Sequence, residues 1–367
     1  AAVVLKSQRA PGYHSAVDHS TSDAYRRFAV FEAAGVSATY YEWASGVAED
    51  GEILALIGDL PRMKRQANLV FAAARFLGAP LGGYGPFRTW LLTHWDEVAP
   101  VIMARATQTN EAARCAVLLP VLSRLGGPLA LIEAGASAGL CLYPDRYSYR
   151  YDVDGSVAAL DPPDHPSTVV IPCSIDAPSL PTRLPEVVWR AGVDLNPISV
   201  QDRGQVRWLE ALVWPEHEAR RDRLREAAAI AAREPATMVR GDLQTEIPRL
   251  IDQAPAGAQV VVFHSAVLVY LEAEQRAEFA ALMASLPDVT WLSNEGRGVL
   301  PAVAAQVTAP ADGRMILSAN GTAVALTGPH GQSYTALEQP RAHRARSEGA
   351  RRAVGRTQRL AGQAPAE

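Results

Sequence analysis

The sequence is poor in cysteine: Cys115, Cys141 and Cys173 are its only three, and no two form a C-x-x-C pair. That excludes a zinc ribbon, a thioredoxin-type redox pair and a disulfide-stapled scaffold, and it suits a reducing compartment. Lysine is nearly absent, with Lys6 and Lys64 against thirty-three arginines. Apolar runs of membrane-spanning length are missing, because Arg124 and Glu133 interrupt the longest candidate. The opening Ala1-Ala2-Val3-Val4-Leu5-Lys6 lacks the basic-then-apolar layout of a secretion signal. Charge of one sign is not in excess either: the formal net charge is −4, so no global field recruits nucleic acid or an anionic membrane. The expectation is a cytoplasmic protein that acts on a small molecule, with no nucleic-acid or membrane partner.

What is present is core-forming material. The 367 residues are 48% hydrophobic and 20% charged, which fits an ordered globular chain of about two domains' length. Residues 1–127 read as helices. Thr21-Ser22-Asp23 offers capping chemistry before a periodic Tyr25, Phe28, Val30, Phe31. Pro61 suits the first turn of a helix ending at Gly78. A further helix is expected from Thr109 to Leu125, closed by Gly126-Gly127-Pro128.

At Pro128 the pattern changes. Leu129–Ile132 is a short apolar run bounded by turn residues, as in a strand buried on both faces. Comparable runs stand at 187–191, 237–240, 260–263 and 289–292, with helical stretches between them, the clearest from Asp202 to Arg233 with a break at Pro215. This alternation predicts a mostly parallel α/β sheet. Asn320-Gly321 between two short strands predicts a closing antiparallel hairpin, and Asp154-Gly155 within 147–161 predicts a second one. Residues 341–367, with seven arginines and few large apolar groups, read as a disordered basic tail. No metal centre is expected; His14, Asp18 and His19 read as part of an exposed terminus.

The chemistry centres on Leu131-Ile132-Glu133-Ala134-Gly135-Ala136-Ser137-Ala138-Gly139. A buried strand ends in an acid, and a loop of small residues then opens a helix whose free N–H groups face a ligand. Glu133-x-Gly135-x-x-x-Gly139 after an apolar strand resembles motif I of class I S-adenosylmethionine-dependent methyltransferases. Ile132–Leu140, Gly192–Ile198 and Trp208–Pro215 also resemble three motifs of a bacterial family of uncharacterised proteins. The methyltransferase resemblance covers roughly residues 128–330 and implies a Rossmann-like domain, 128–340, preceded by an all-α N-terminal domain, 1–127, that acts as a lid. It implies S-adenosylmethionine as cofactor and methyl transfer to an oxygen or nitrogen atom of a small acceptor. Glu133, Gly135, Ser137 and Gly139 then lie beside the methionine part, Asp194 at the ribose, Asp242 and Leu243 at the adenine. His264 and Ser265 face cofactor and substrate, and His264 or Glu295, at strand ends, is the candidate base. Arg105, Gln108, Asn110, Tyr143 and Arg146 are candidate substrate contacts. The chain departs from the pattern at Pro144, which shortens the helix after motif I.

Two other readings compete. Gly135-x-Ser137-x-Gly139 also satisfies the nucleophile elbow of serine hydrolases, with Asp242 and His264 following in the order of a triad. A nucleotide-binding module without catalysis needs only the loop and the acids.

Overall fold

A computed structural model describes residues 19–310 and 312–338. The expected basic tail and the His14–Asp18 segment lie outside them, as does the His19 side chain.

From residue 19 to 122 every regular element is helical. The first helix is His19–Phe28, continued by a π-turn over Ala29–Ala33. It therefore starts ahead of Thr21, and Ser22 is not a cap: its hydroxyl donates to the Ala48 carbonyl. Tyr25 and Phe28 are buried, whereas Val30 and Phe31 point outward because the π-turn breaks the 3.6-residue period. Pro61 opens only a short turn at Arg62–Lys64, and a separate helix, Ala67–Phe76, precedes Gly78, whose φ of +98° forms the expected left-handed stop. The long helix of this segment is Tyr84–Ala104. The helix expected from Thr109 is only Ala112–Leu122, the first turn being 3-10, and residues 105–111 form no regular element.

Eleven strands then build one sheet: β1 Pro128–Ala134, β2 Ser148–Val153, β3 Ser156–Leu160, β4 Val170–Ile175, β5 Glu186–Asp194, β6 Thr237–Arg240, β7 Gln259–Ser265, β8 Val289–Glu295, β9 Met315–Ala319, β10 Thr322–Thr327 and β11 Ser333–Ala336. Their order is β3-β2-β4-β11-β10-β9-β8-β7-β1-β5-β6. Pairing is mostly parallel, with antiparallel contacts at β2–β3, β8–β9, β9–β10 and β10–β11. Both predicted hairpins form; Asn320 and Gly321 have φ of +47° and +77°, as a type I′ turn requires. Strands β4 and β11 have no counterpart in the periodicity, and their pairing stitches the β2–β3 hairpin to the rest of the sheet.

β1 lies between β5 and β7: after an excursion through β2, β3 and β4 at the far edge, the chain builds β5 and β6 on one side of β1 and then β7 and β8 on the other. Such a switch point opens a crevice beyond the carboxyl ends of the parallel strands. The helical segment covers that region. Helix 67–76 packs on helix Arg203–Leu212, which follows β5, and Arg75 donates to the carbonyls of Ala211 and Val213. Trp208 stacks edge-on against Phe76, and Trp214 packs on Phe28 and Tyr40. One buried cluster thus runs unbroken from Tyr25 to Tyr334, and it joins side chains on both sides of residue 127; a second buried cluster gathers residues from Ile132 to Leu326.

Candidate functional site

The loop after β1 is held by hydrogen bonds at every residue. Gly135 N–H and Ala136 N–H donate to the Val193 carbonyl, Ser137 N–H to Asp194 Oδ2 at 2.8 Å, Ala138 N–H to Asn110 Oδ1 at 2.9 Å, and Gly139 N–H to the Ala136 carbonyl. Gly135, Ser137 and Gly139 have φ of +67°, +51° and +67°, so the chain coils tightly and only a three-residue turn, Leu140–Leu142, follows. The expected helix N-terminus with unpaired N–H groups is therefore not formed. Pro144 and the return of the chain into β2 leave no length for it.

The loop floors a cavity of about 340 Å³, within the usual range for small-molecule sites. Glu133, Asp194 and Asp242, at the ends of β1, β5 and β6, line it, with Leu243, Ser265 and the exposed side chain of Leu195. Asp194 also accepts the Asn196 N–H at 2.7 Å, and Asp242 caps helix Leu243–Gln253 by accepting the Gln244 N–H. Each carboxylate oxygen has lone pairs beyond these bonds. Glu133 differs from both: it is 7% exposed, and its Oε2 has no hydrogen-bond partner. Burial, then the neighbouring Cys141 thiol, holds its pKa well above the usual glutamate range, against the opposing pull of Arg114.

Ser137 and Ser265 both line the cavity. The Ser137 hydroxyl accepts from Asn110 Nδ2 at 2.8 Å and that of Ser265 from Asn294 Nδ2 at 3.0 Å. Gly139 faces Met238 behind the loop.

The candidate bases lie elsewhere. His264 is fully buried; its Nδ1 bonds Glu295 Oε1 at 2.7 Å and its Nε2 accepts from Trp291 Nε1 at 3.0 Å. With Nε2 an acceptor, Nδ1 carries the proton and donates it to the carboxylate. Glu295 Oε1 also accepts the N–H groups of Val267 and Leu268, which, with His264, hold its carboxyl below the usual value despite burial. Neither side chain reaches the cavity. Their work is to fix the 266–268 turn, where Ala266 has φ of +57° and Val267 presses on Gly135. The strand-end position that suggested catalysis points these groups into the protein. Nor do Ser137, Asp242 and His264 form a triad, since Asn110 holds the serine and both imidazole nitrogens are engaged.

A consequence is measurable. His264→Leu should destabilise the protein by about 3 kcal/mol, because it leaves the Glu295 carboxylate and the Trp291 N–H buried without their partner. Denaturant unfolding would show the loss, and ligand titration of the folded fraction should show an intact cavity.

The candidate substrate contacts divide. Gln108 and Asn110 line the cavity, and Gln108 donates to the Asn196 carbonyl at 3.0 Å. Arg105 turns away to lie over the rings of Phe76 and Trp208. Tyr143 is core, bonding the Glu234 carbonyl and the Ala236 N–H under the Arg190 guanidinium. Arg146 is a surface partner of Glu234. The short turn after Gly139 brings Tyr143 and Arg146 back beneath the sheet edge rather than over the crevice.

Sequence reasoning missed Leu195, Asn196, Val267 and Tyr270. Tyr270, 84% exposed, stands at the mouth. Glu111 accepts the Ala113 N–H, and it also pairs, almost fully buried, with Arg220 at 2.5 Å and Arg223 at 3.2 Å. Pairing Asp194 with the residue two positions on was the signal available for Asn196; nothing local marks the others. Among the described residues no helix is long and apolar enough to cross a membrane.

The profile of a bacterial family described as "Uncharacterized protein conserved in bacteria (DUF2332)" matches residues 22–335. No curated protein and no solved structure matches the chain.

Proposed function

The chain belongs to the bacterial family DUF2332, and from the geometry of its cavity we propose that it binds S-adenosylmethionine and transfers the methyl group to a small acceptor. The observation that carries this is the distribution of donors and acceptors. Every N–H from Gly135 to Gly139 is already bonded, so the loop has no nest for a phosphate, which dinucleotides require. Three strand-end carboxyl groups, those of Glu133, Asp194 and Asp242, line the same wall; the fourth lining acid, Glu111, is paired with Arg220 and Arg223, and the lining cation, Arg114, donates to the Pro329 and Ser265 carbonyls. A wall rich in acceptors and poor in free donors selects a ligand that brings amines, hydroxyls and positive charge. S-adenosylmethionine brings all three and no phosphate.

We read this half of the chain as Rossmann-like, with the helical segment as its cover; the parallel strands around the switch point support that reading. Glu133 would take the ammonium end, Asp194 the ribose hydroxyls and Asp242 the adenine amine, with Leu195 and Leu243 against the purine. When bound, the cofactor supplies an electrophilic methyl group. The protein's part is to align the acceptor and exclude water, which is the larger share of such a displacement.

Isothermal titration tests the reading. S-adenosylhomocysteine should bind with micromolar affinity, about −8 kcal/mol, and NAD should not bind. Silence with S-adenosylhomocysteine, or tighter binding of NAD, would refute it.

A further inference from the structure

A second cavity, of about 360 Å³, adjoins the first. Thr107, Gln108, Thr109, Asn110 and Tyr270 line both. Its far wall is made by the segment after helix 203–212 and by helix Glu218–Arg233, with apolar cover from Leu209, Leu224 and Trp214. Three basic side chains, His217, Arg220 and His330, line it as well.

Charge behind the wall of this cavity is unbalanced. Arg220, which lines it, and Arg223 both pair with one carboxylate, Glu111, which faces the first cavity, and Arg114 adds a third positive charge beside them. Arg114 spends its donors on the carbonyls of Pro329 and Ser265. Arg220 makes one ion pair, through Nε to Glu111, and its guanidinium has no other hydrogen bond or ion pair among the described residues. Burial first, and then the charges of Arg114 and Arg223, make Arg220 a less comfortable cation than a free arginine, even with Glu111 beside it. The same field acts on the imidazoles. Burial and the nearby Arg220 push His330 down to about 4, and burial followed by Arg220 lowers His217, which stacks on the Trp214 ring. Neither imidazole makes a side-chain hydrogen bond among the described residues. Glu32, on the exposed rim, is the one acidic side chain of the lining.

We propose that this second cavity binds a small molecule carrying a carboxylate on an apolar or aromatic body, with Arg220 as the anion's partner, the imidazoles of His217 and His330 as added donors, and Trp214 against the body. An anion there restores the charge balance around Glu111, and a guanidinium with free amino groups is suited to a planar carboxylate.

The test is direct binding to the full chain, with benzoate, phenylacetate and indole-3-acetate as probes and benzamide as the uncharged control. At least one carboxylate should bind at millimolar concentration or tighter, and benzamide at least tenfold more weakly than benzoate. Arg220→Gln should raise the dissociation constant at least tenfold. Because that change leaves Glu111 with one partner fewer, a second variant is needed. Val36→Trp, at a half-exposed lining position, should obstruct the mouth and weaken the same probe comparably. Failure of all three carboxylates, equal binding of benzamide and benzoate, or an unchanged constant in either variant would overturn the proposal. S-adenosylhomocysteine titrated into the same samples keeps the two ideas apart: its failure to bind wild-type protein would remove the cofactor reading and leave the carboxylate result standing by itself.

Discussion

Glu133→Gln is expected to weaken S-adenosylmethionine binding on the order of a hundredfold while making the unliganded protein more stable at neutral pH. The two effects have one cause. A charge-assisted bond from a ligand cation to a buried carboxylate is worth about 1.5–3 kcal/mol, and glutamine keeps the shape without the charge. In the empty cavity the same charge is a burden, because burial raises the carboxyl pKa well above 4.5. A raised acid pKa means the folded protein holds its proton more tightly than the unfolded chain. Between 4.5 and the higher folded value, Glu133 therefore subtracts stability as pH rises, and below 4.5 it subtracts nothing. The thermal midpoint of Glu133→Gln minus that of the wild type should widen as pH rises from 4 toward 8. A flat difference would mean that Glu133 is not buried unpaired, and unchanged cofactor affinity would remove it from the ligand's reach.

Gly135→Val should be the most damaging single change near the loop, costing about 2–5 kcal/mol and abolishing ligand binding. At φ of +67° a β-branched side chain is strained by about 1–2 kcal/mol. A Cβ there would also come within 2.6 Å of the Val267 methyl groups, an overpacking typically worth about 1–3 kcal/mol. Val267 is held by Glu295 through its backbone and cannot retreat cheaply. Gly135→Val paired with Val267→Ala relieves the contact but not the strain. Urea unfolding of the single and double variants should recover only part of the loss. Full recovery would show that strain at this position matters little.

How much of this was legible depends on the range over which each feature is determined. Strands β1, β5, β6, β7 and β8 and the Asn320-Gly321 hairpin were readable because each is set by a local apolar run or a turn pair. The acids at strand ends were readable for the same reason: topology carries them to one crevice. Strands β4 and β11 were not, since their six- and four-residue stretches gain order by pairing, β4 with β2 and β11, and β11 with β10 and β4. His264 and Glu295 misled because a strand end fixes where a residue lies along the sheet and not which way its side chain turns; Trp291, which claims the imidazole, is two positions into the next strand. Arg105, Tyr143 and Arg146 were assigned by nearness in sequence to the loop. The short turn at Leu140–Leu142 and the aromatic rings of Phe76 and Trp208 redirect them. Tyr270 was invisible because its place at both mouths comes from the turn that Glu295 anchors from 28 and 27 positions further along the chain.

The strip from Thr107 to Asn110 is a partition with a chamber on either side, pinned by Asn110 to the loop after β1 and by Gln108 to the Asn196 carbonyl. A partition cannot shift for one occupant alone. If a guest in either room displaces it, the other guest's affinity changes by some factor, and reciprocity requires the same factor in the reverse direction. Order of filling then becomes a property of four residues of irregular backbone, with no hinge or second subunit needed to impose it.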